Sequence, residues 1–511
     1  MPDIVLATVN ARYVHASLGL RYLRANMGEL RSRTRIVEFV LGARPLDIVE
    51  QLLALNPRII GFGTYIWNVE ETARVVAQLK RVAPEVIVVV GGPEVSHETD
   101  EQRVCADADY TVTGWGDVTF PRLARSLLAG ERPAGRVVAG EQPPLKGIAL
   151  PYDEYTDEDI ARRFIYVEAS RGCPFKCEFC LSALDRTAWP FDLDALLGAL
   201  GRLHDRGARH FRFVDRTFNL KAATSLRILE FFLERMDDHT FLHFELIPDH
   251  LPEALKQAIV RFPAGALHFE VGIQTWKPEV QALISRRQDN ERAAQNIAWL
   301  REHTDALVHV DLIAGLPDED LASFGAGFDR LLALKPHEIQ VGILKRLRGT
   351  PIARHTATHA MRYNPDPPYN VLATSCISFP DMQRVTRFAR YWDMVGNSGR
   401  YARAVALLLH GGGSAFDRFM AYADWFYART GKTHEIALER MYDALHEYLV
   451  AVLRIDAATV ESALAADYEG SGAKGRLSFM RSGSRPEPAP DSTSGSTARS
   501  RMRQVRHLQT G

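Results

Sequence analysis

Residues 168–180 organise the interpretation of the whole chain: Glu168-Ala-Ser-Arg-Gly-Cys173-Pro-Phe-Lys-Cys177-Glu-Phe-Cys180. The three cysteines are separated by three and then two residues, and they follow an apolar run at 164–167 that is typical of a strand. A single loop can therefore bring three thiolates to one small object, as an iron–sulfur cluster requires. The other two cysteines, Cys105 and Cys376, lie far away in the sequence. One iron of a four-iron cluster would thus have no protein ligand nearby.

Two other uses of these cysteines are weaker. A disulfide framework does not suit five cysteines in 511 residues, because disulfide-stabilised proteins are short and rich in cysteine. A structural zinc site needs a fourth ligand, which a distant histidine would have to supply.

The composition is that of a globular protein with several cores. The chain has 511 residues, of which 46% are apolar and 24% charged, with a net charge of −1. This length predicts about two to four domains, and the balanced charge gives no argument for a nucleic-acid partner. No apolar run approaches the roughly 18 residues of a membrane span, and the N-terminus lacks the pattern of a signal peptide. We expect a cytoplasmic protein without membrane contact.

Residues 1–140 are predicted to form a doubly wound parallel sheet of Rossmann-like type. Apolar runs alternate with amphipathic windows, and near-continuous apolar strands indicate a sheet covered by helices on both faces. The predicted strands are 4–9, 35–39, 59–63, 86–90 and 110–113. The predicted helices are 18–27, 45–55, 69–81 and 120–128. Ligands of such sheets bind at the carboxyl ends of the strands, and a linker rich in proline and acidic residues follows at 141–160.

Residues 161–350 repeat the alternation of strand and helix six times. The predicted strands are 164–168, 210–214, 241–246, 267–273, 308–313 and 339–344. The predicted helices are 193–206, 222–236, 252–260, 291–303 and 320–334. This pattern fits a partial (βα)6 barrel of TIM type, whose chemistry is placed at the carboxyl ends of its strands. The three cysteines follow the first of these strands.

These motifs resemble a known enzyme superfamily. The CxxxCxxC spacing, with Phe179 before the last cysteine, resembles the signature of the radical S-adenosylmethionine (SAM) enzymes. Upstream, GFGTYIW at 61–67, VVVGGPEVS at 88–96 and GWGDVTF at 114–120 resemble the cobalamin-binding domain of that superfamily's cobalamin-dependent branch, class B. The stretch NARYVHASLGLRYL at 10–23 further resembles a subgroup that carries a C-terminal domain of unassigned function. The resemblance implies a 4Fe-4S cluster on the three cysteines, with SAM on the free iron.

The resemblance also implies binding residues at strand ends. For SAM they are Phe179, Asp215, Arg216, Glu270, Gln274, Arg286, Gly315 and Pro317. For cobalamin they are Asn10, Tyr13, Thr64, Tyr65, Trp67, Gly91, Gly92, Pro93, Gly114 and Gly116. Each of these has a structural alternative, because a polar residue at a strand end can simply cap the next helix.

The chain departs from the family pattern in two places. Trp115 stands where relatives carry a glutamate, and the DxHxxG string that ligates cobalt is missing. We therefore expect cobalamin without a protein histidine on cobalt, with Tyr65 or Trp67 covering that face. For His15, a hydrogen-bonding role is favoured over cobalt ligation.

Residues 351–480 are predicted to form a helical domain. The helical windows are 381–391, 400–409, 415–429, 434–453 and 457–464. Their dense aromatic residues are predicted to form a core, and Cys376 is expected to be a small buried apolar residue. Residues 481–511 are predicted to be a disordered basic tail.

The leading functional hypothesis follows from the implied cofactors. A reduced cluster would cleave SAM to a 5′-deoxyadenosyl radical, and cobalamin would deliver a methyl group to an unactivated carbon of an unknown substrate. A flavodoxin or ferredoxin is the expected reducing partner. The alternatives are rearrangement, oxidation or cyclisation without methyl transfer, and a non-catalytic cobalamin or cluster sensor. Methylthiotransfer is disfavoured, because the N-terminal region has only Cys105 and no second cysteine trio.

Overall fold

A six-stranded parallel sheet forms the N-terminal part of the protein. The computed structural model describes residues 1–185, 187–473, 475 and 477–479, so the predicted tail at 481–511 lies outside it. The strands are β1 Ile4–Asn10, β2 Thr34–Val40, β3 Ile59–Gly63, β4 Ile87–Gly91, β5 Tyr110–Thr113 and β6 Val137–Ala139. Their order is β2-β1-β3-β4-β5-β6. Because β1 lies between β2 and β3, the winding direction reverses there and opens a crevice at the carboxyl ends.

Helices cover both faces of this sheet, as predicted. Their bounds are α1 Leu18–Ala25, α2 Pro45–Leu53, α3 Val69–Val82, α4 Arg103–Asp107, α5 Thr119–Leu128 and, in the linker, α6 Asp157–Arg162. Two separate apolar cores lie against the sheet, one on each face. Ser17 caps the N-terminus of α1, because its side chain accepts a hydrogen bond from the backbone N–H of Leu20. The sequence analysis missed β6 and α4, which are too short to show a clear period.

The second sheet is the predicted partial barrel. Its strands are β7 Ile165–Val167, β10 His210–Phe213, β11 Phe241–Leu246, β12 Leu267–Gln274, β13 Leu307–Ala314 and β14 Glu338–Ile343; a small hairpin, β8 Ser170–Arg171 and β9 Trp189–Pro190, follows β7. The six long strands are parallel and neighbours in chain order. The outer helices are α7 Leu193–Asp205, α8 Ala222–Leu233, α9 Glu253–Ile259, α10 Pro278–Leu283, α11 Asn290–His303 and α12 Leu321–Ala333. All six predicted strands are confirmed.

The C-terminal part begins with a short 3-10 helix, Pro351–His355, and among its described residues no α-helix precedes Phe379. A second hairpin, β15 Arg362–Tyr363 and β16 Val371–Ala373, precedes the helices. These are α13 Phe379–Val395, α14 Ala402–Leu409, α15 Ala415–Thr430, α16 Leu438–Glu447 and α17 Ala457–Gly470. The helix predicted at 434–453 is shorter, since α16 ends in a π-helical turn at Tyr448–Val452. In the described ranges no helix is long and apolar enough to cross a membrane.

The aromatic stripe of the C-terminal helices is core, as predicted. Phe388 on α13 packs against Phe416 and Phe419 of α15, with ring centroids 4.7 and 5.2 Å apart. Phe328 of α12 joins them at 5.1 Å from Phe388, so barrel and helical part share one continuous core. The expectation for Cys376 is wrong: its side chain is exposed, next to Asp318 at the edge of the barrel.

Two candidate cofactor cavities and the loop between them

A cavity of about 400 Å³, here called the sheet-edge cavity, lies between α1 and the carboxyl ends of β3, β4 and β5. Seven glycines line it: Gly19, Gly61, Gly63, Gly91, Gly92, Gly114 and Gly116. At Gly61 a Cβ atom would lie 2.9 Å from the ring of Phe120, and at Gly92 it would lie 2.5 Å from the Thr64 carbonyl oxygen. Side chains at these positions would fill the cavity or displace its wall. A flat apolar ligand can therefore approach the backbone closely.

Five of the predicted cobalamin residues line this cavity: Tyr65, Gly91, Gly92, Gly114 and Gly116. Trp67 does not. It stacks on the outer face of Tyr65, with centroids 4.4 Å apart, and 46% of its side chain is exposed. Thr64 is fully buried behind Gly92, and Pro93 is exposed beyond the turn.

The remaining two predicted cobalamin residues belong to the joint between the sheet and the barrel. The Asn10 amide donates to the His15 carbonyl at 2.8 Å and to the Glu38 carboxylate at 3.0 Å. Tyr13 donates to Glu158 of α6 at 2.9 Å. His15 itself has its Nδ1 atom 2.7 Å from the hydroxyl of Tyr166, which is the hydrogen-bonding role that the sequence favoured.

Replacing Gly92 with alanine tests the close approach at this edge. Gly92 has φ +116°, and its Cβ would collide with the Thr64 backbone. We expect a loss of about 3 kcal/mol in the free energy of unfolding, from backbone strain and overpacking together. Urea titration measures this loss. The matched control is Gly42→Ala, where φ is +93° but no atom lies within 4 Å, and which should cost only about 1 kcal/mol. Equal losses in the two variants would contradict the packing argument.

A second cavity of about 220 Å³, here called the cysteine cavity, lies at the carboxyl ends of the barrel strands. All three cysteines of the quoted stretch line it, together with Phe179, Arg216, Glu270, Gln274 and Arg286. Burial raises the pKa of Cys173 to about 11 and also raises the pKa of Cys177. Thiolates at these positions therefore need a bound cation to offset their desolvation. Three thiols that line one cavity fit an iron–sulfur cluster.

Other cavity groups fit a polar ligand beside the thiols. Gln274 ends β12 in a left-handed conformation, with φ +68°, and lies over Gly272. Its side-chain oxygen is buried and has no hydrogen-bond partner among the residues that the structure describes. Arg287, which shares the cavity wall, is exposed at its mouth. An acceptor without a donor and a cation at the mouth suit a ligand with hydroxyl or amino groups and a carboxylate.

Three of the predicted SAM residues lie outside the cavity wall. Asp215 is fully enclosed, and its carboxylate accepts hydrogen bonds from the backbone N–H groups of Ala169 and Ser170 at 2.9 and 2.5 Å. Burial raises the pKa of Asp215 to about 7. It holds the start of the cysteine loop in place rather than facing a ligand. Gly315 and Pro317 are buried too, and a Cβ on Gly315 would collide with Val371.

Arg286 lines the cavity but already has protein partners. Its guanidinium donates to the carbonyl of Gly272 and to Gln288, and lies 3.6 Å from the Cys177 sulfur. Arg216 pairs with Glu245 across the cavity floor. The neighbouring Arg287 is thus better placed than Arg286 to meet a carboxylate.

Below the cysteine cavity, the barrel interior carries charged side chains. The Nε2 atom of His309 lies 3.1 Å from Asp311, and its Nδ1 atom lies 3.6 Å from Glu338. Burial lowers the pKa of His309, but these carboxylates outweigh it and raise the pKa to about 9. Burial and the nearby Asp311 and Glu245 raise the pKa of Glu270 to about 7.

A pH dependence of stability follows for His309. Its pKa is about 9 in the folded protein against an ordinary value of 6.5, so its ion pairs stabilise fully below pH 6.5 and are lost as pH rises through 9. In the wild-type protein this loss should amount to about 3 kcal/mol, at about 1.4 kcal/mol for each pKa unit. His309→Gln should flatten the profile of unfolding free energy between these values, whereas His239→Gln, at an exposed site, should leave it unchanged. An unaltered slope in His309→Gln would refute the charge assignment.

One arginine connects the sheet-edge cavity to the start of the cysteine loop. Arg171 donates to Asp117 at 2.8 Å and to Glu168 at 2.9 Å. Its guanidinium lies 4.6 Å above the ring of Trp115, beside Gly114 and Gly116. Arg171 and Glu168 also line the sheet-edge cavity, and Cys173 follows two residues later. The cysteine loop therefore forms part of the wall of the other cavity.

Trp115 reinforces this connection. Its indole N–H donates to the Asp185 carboxylate at 3.1 Å, and the Asp185 carbonyl accepts from the backbone N–H of Cys173 at 2.8 Å. The tryptophan that replaces the family's glutamate thus ties the sheet edge to the cysteine loop. The sequence analysis missed Arg171 and Glu168, although both belong to the quoted stretch. Their signal was a glutamate and an arginine three residues apart at the start of a loop that must be buried.

Three family models match successive parts of the chain. They are a B12 binding domain at residues 4–124, the radical SAM superfamily at 167–329, and a protein of unknown function, DUF4080, at 357–492. The chain therefore belongs to the radical SAM proteins that carry an N-terminal cobalamin-binding domain. Within that class, it is one whose C-terminal domain has no assigned function. The family predicted from the sequence is confirmed.

Individual relatives match parts of the chain at lower coverage. A 235-residue stretch is 28% identical to an uncharacterized methyltransferase of Pyrococcus horikoshii, PH0819, and covers 41% of this chain and 51% of that relative. The chain thus spans about half the length of this relative. Another relative is TokK of Streptomyces tokunonensis, a cobalamin-dependent radical SAM methyltransferase, 25% identical over 150 residues, which are 25% of this chain and 22% of TokK.

Solved structures share the fold. The radical SAM methyltransferase TsrM from Kitasatospora setae, with cobalamin and a 4Fe-4S cluster bound, superimposes with a TM-score of 0.56 at 18% identity, covering 71% of this chain and 81% of TsrM. OxsB, a cobalamin-dependent SAM radical enzyme with aqua-cobalamin and SAM bound, gives a TM-score of 0.59 at 12% identity, covering 100% of this chain and 84% of OxsB. At such identities the likeness establishes the shared architecture.

Proposed function

We propose that this protein is a cobalamin-dependent radical SAM methyltransferase that acts on an unactivated carbon. The observation that carries the proposal is the pair of cavities: one is lined by seven glycines and by Arg171 from the start of the cysteine loop, and the other is lined by three cysteines. When bound, the cluster and SAM supply a carbon-centred radical, and cobalamin supplies a carrier for the SAM methyl group.

The protein's own residues would bind and orient these groups. Cys173, Cys177 and Cys180 would hold the cluster, and the glycines of the sheet edge would admit the corrinoid. Gln274 would offer its unpaired oxygen to a donor on SAM, and Arg287 would meet the SAM carboxylate. Phe179 and the apolar part of the wall would help to exclude water, since a reactive radical needs a site without other hydrogen donors.

The substrate and the electron donor belong to the same proposal. A flavodoxin or ferredoxin would supply the electron, and the three clustered thiols favour a reducing, cytoplasmic setting. The acidic floor formed by Glu245, Glu270 and Asp311 favours a substrate that presents hydrogen-bond donors. Rearrangement, oxidation or cyclisation without methyl transfer is the second candidate, because the same two cavities would hold the same cofactors for these reactions.

Two products distinguish these functions without knowledge of the substrate. The reconstituted protein, incubated anaerobically with SAM and a reductant, should release 5′-deoxyadenosine. It should also release S-adenosylhomocysteine, and only when cobalamin is present. Release of 5′-deoxyadenosine without S-adenosylhomocysteine would favour the second candidate. Absence of both products would favour a non-catalytic sensor.

A further inference from the structure

Residues 344–378, here called the bridging segment, connect β14 to α13. They contact the loop after β4 at the sheet-edge cavity and the cysteine loop at the cysteine cavity. The radical SAM model ends at 329 and the C-terminal model begins at 357, so neither model covers the whole segment. Two buried glutamates anchor it. One, Glu94, follows the Gly91-Gly92 turn of the sheet-edge cavity, and the other, Glu178, stands between Cys177 and Cys180. Their exposed fractions are only 3% and 4%.

The first anchor holds the turn of the sheet-edge cavity. Tyr369 donates to the Glu94 carboxylate at 2.7 Å, and Arg348 donates to the same oxygen at 3.1 Å. Arg348 also reaches Glu98 at 2.9 Å. The ring of His97 packs so closely on Gly349 that a Cβ there would lie 2.3 Å from it. The loop after β4 is therefore fixed against the bridging segment by buried charge and by shape.

The second anchor holds the cysteine loop. The Nε2 atom of His355 lies 2.9 Å from one Glu178 oxygen, while Arg354 and Ser285 bond the other. The backbone N–H of Ile352 donates to the Glu178 carbonyl at 3.0 Å. Apolar contacts add to these bonds, because Phe179 packs against a cluster that includes residues of the segment. The residue between the last two cysteines thus depends on a part of the chain outside the radical SAM motif.

We propose that the bridging segment couples the two cofactor sites, so that a ligand in the sheet-edge cavity changes the affinity for a ligand in the cysteine cavity. This proposal rests on the proposed function for the identity of the ligands. The two anchors are close in sequence: Arg348 and His355 are seven residues apart. Separating a buried carboxylate from its hydrogen-bond partners is strongly unfavourable, because it leaves an uncompensated charge. A displacement of Glu94 is therefore expected to move the bridging segment with it, because breaking the contact would cost more free energy. Tyr369 and His355 act here as positioning residues.

The test is a binding cycle on the cluster-loaded protein. SAM affinity is measured anaerobically by calorimetry, with and without bound hydroxocobalamin. We expect cobalamin to change the SAM dissociation constant by about fivefold or more, the lower end of coupling between sites. In Tyr369→Phe and in His355→Gln this factor should fall below about twofold. A purely structural defect would weaken SAM binding to the same extent with and without cobalamin, so the ratio of the two dissociation constants would stay at its wild-type value.

The control variant is Tyr363→Phe on the same hairpin. Its hydroxyl lies against the sulfur of Met361 and contacts neither glutamate, so the wild-type factor should persist. A factor retained in both test variants would overturn the proposal, since coupling would then pass through direct contact of the two ligands. A wild-type protein that binds both ligands without coupling would overturn it as well. A wild-type protein that binds no cobalamin would instead overturn the proposed function, and the coupling with it.

Discussion

Alanine at Cys173, Cys177 or Cys180 is expected to abolish the iron–sulfur cluster and, with it, all release of 5′-deoxyadenosine from SAM. The three cysteines line one cavity. Two thiolates hold a four-iron cluster poorly, so the iron content should fall to a small fraction of the wild-type value.

The chain offers matched controls for this prediction. Cys105 lies in α4 and Cys376 at the exposed edge of the barrel, and both are free thiols. Alanine at either position should leave the iron content and SAM cleavage at wild-type levels. Iron content and 5′-deoxyadenosine are measured on the same reconstituted samples. A cluster that survives in a Cys177→Ala sample would contradict the ligand assignment.

The second large effect is expected for Arg171→Ala. Its guanidinium neutralises Asp117 and Glu168, whose side chains are 8% and 13% exposed. Removing the cation leaves two buried carboxylates without it, which should lower the free energy of unfolding by about 3–5 kcal/mol. The loss of the link should also weaken cobalamin retention. Arg171→Lys keeps the charge but not the paired geometry, so it should lie between alanine and wild type.

An exposed arginine supplies the comparison. Arg202 pairs with Asp153, and the two side chains are 59% and 61% exposed. Arg202→Ala should change the free energy of unfolding by less than about 1 kcal/mol. Denaturant titration of the three variants gives the values. If Arg171→Ala were no more damaging than Arg202→Ala, the link between the sheet-edge cavity and the cysteine loop would not be an energetic feature of the fold.

The strands and helices were predictable because each leaves a local pattern. β12 and β13 are long apolar runs with period-two alternation. Ser378 caps the N-terminus of α13, because its side chain accepts a hydrogen bond from the Asp381 backbone N–H. Short elements escaped, such as β6 and the β15–β16 hairpin. These strands form because they pair with other strands, and two or three residues carry too little periodicity to reveal them in the sequence.

The site was predictable only in part, for a related reason. Spacing alone predicts the three cysteines, and the apolar run of the fourth barrel strand predicts Glu270 and Gln274; all five line the cysteine cavity. The sequence pattern does not reveal which strand-end side chains turn away from the cavities. Asp215 accepts a hydrogen bond from the cysteine loop, and Asn10 donates one to Glu38. Those partners are distant in sequence. The same holds for Glu178 and His355, which are far apart in the chain and meet only in the folded protein.

One chain is expected to hold two cofactors, one in each cavity. The most direct test is to reconstitute the cluster anaerobically, add hydroxocobalamin, desalt the sample, and determine iron, cobalt and the ultraviolet–visible spectrum. We expect about four irons per chain, the content of a 4Fe-4S cluster, together with nearly stoichiometric cobalt despite the missing DxHxxG motif. A sample that retains four irons and no cobalt would contradict the account, because the glycine-edged cavity would then serve another ligand.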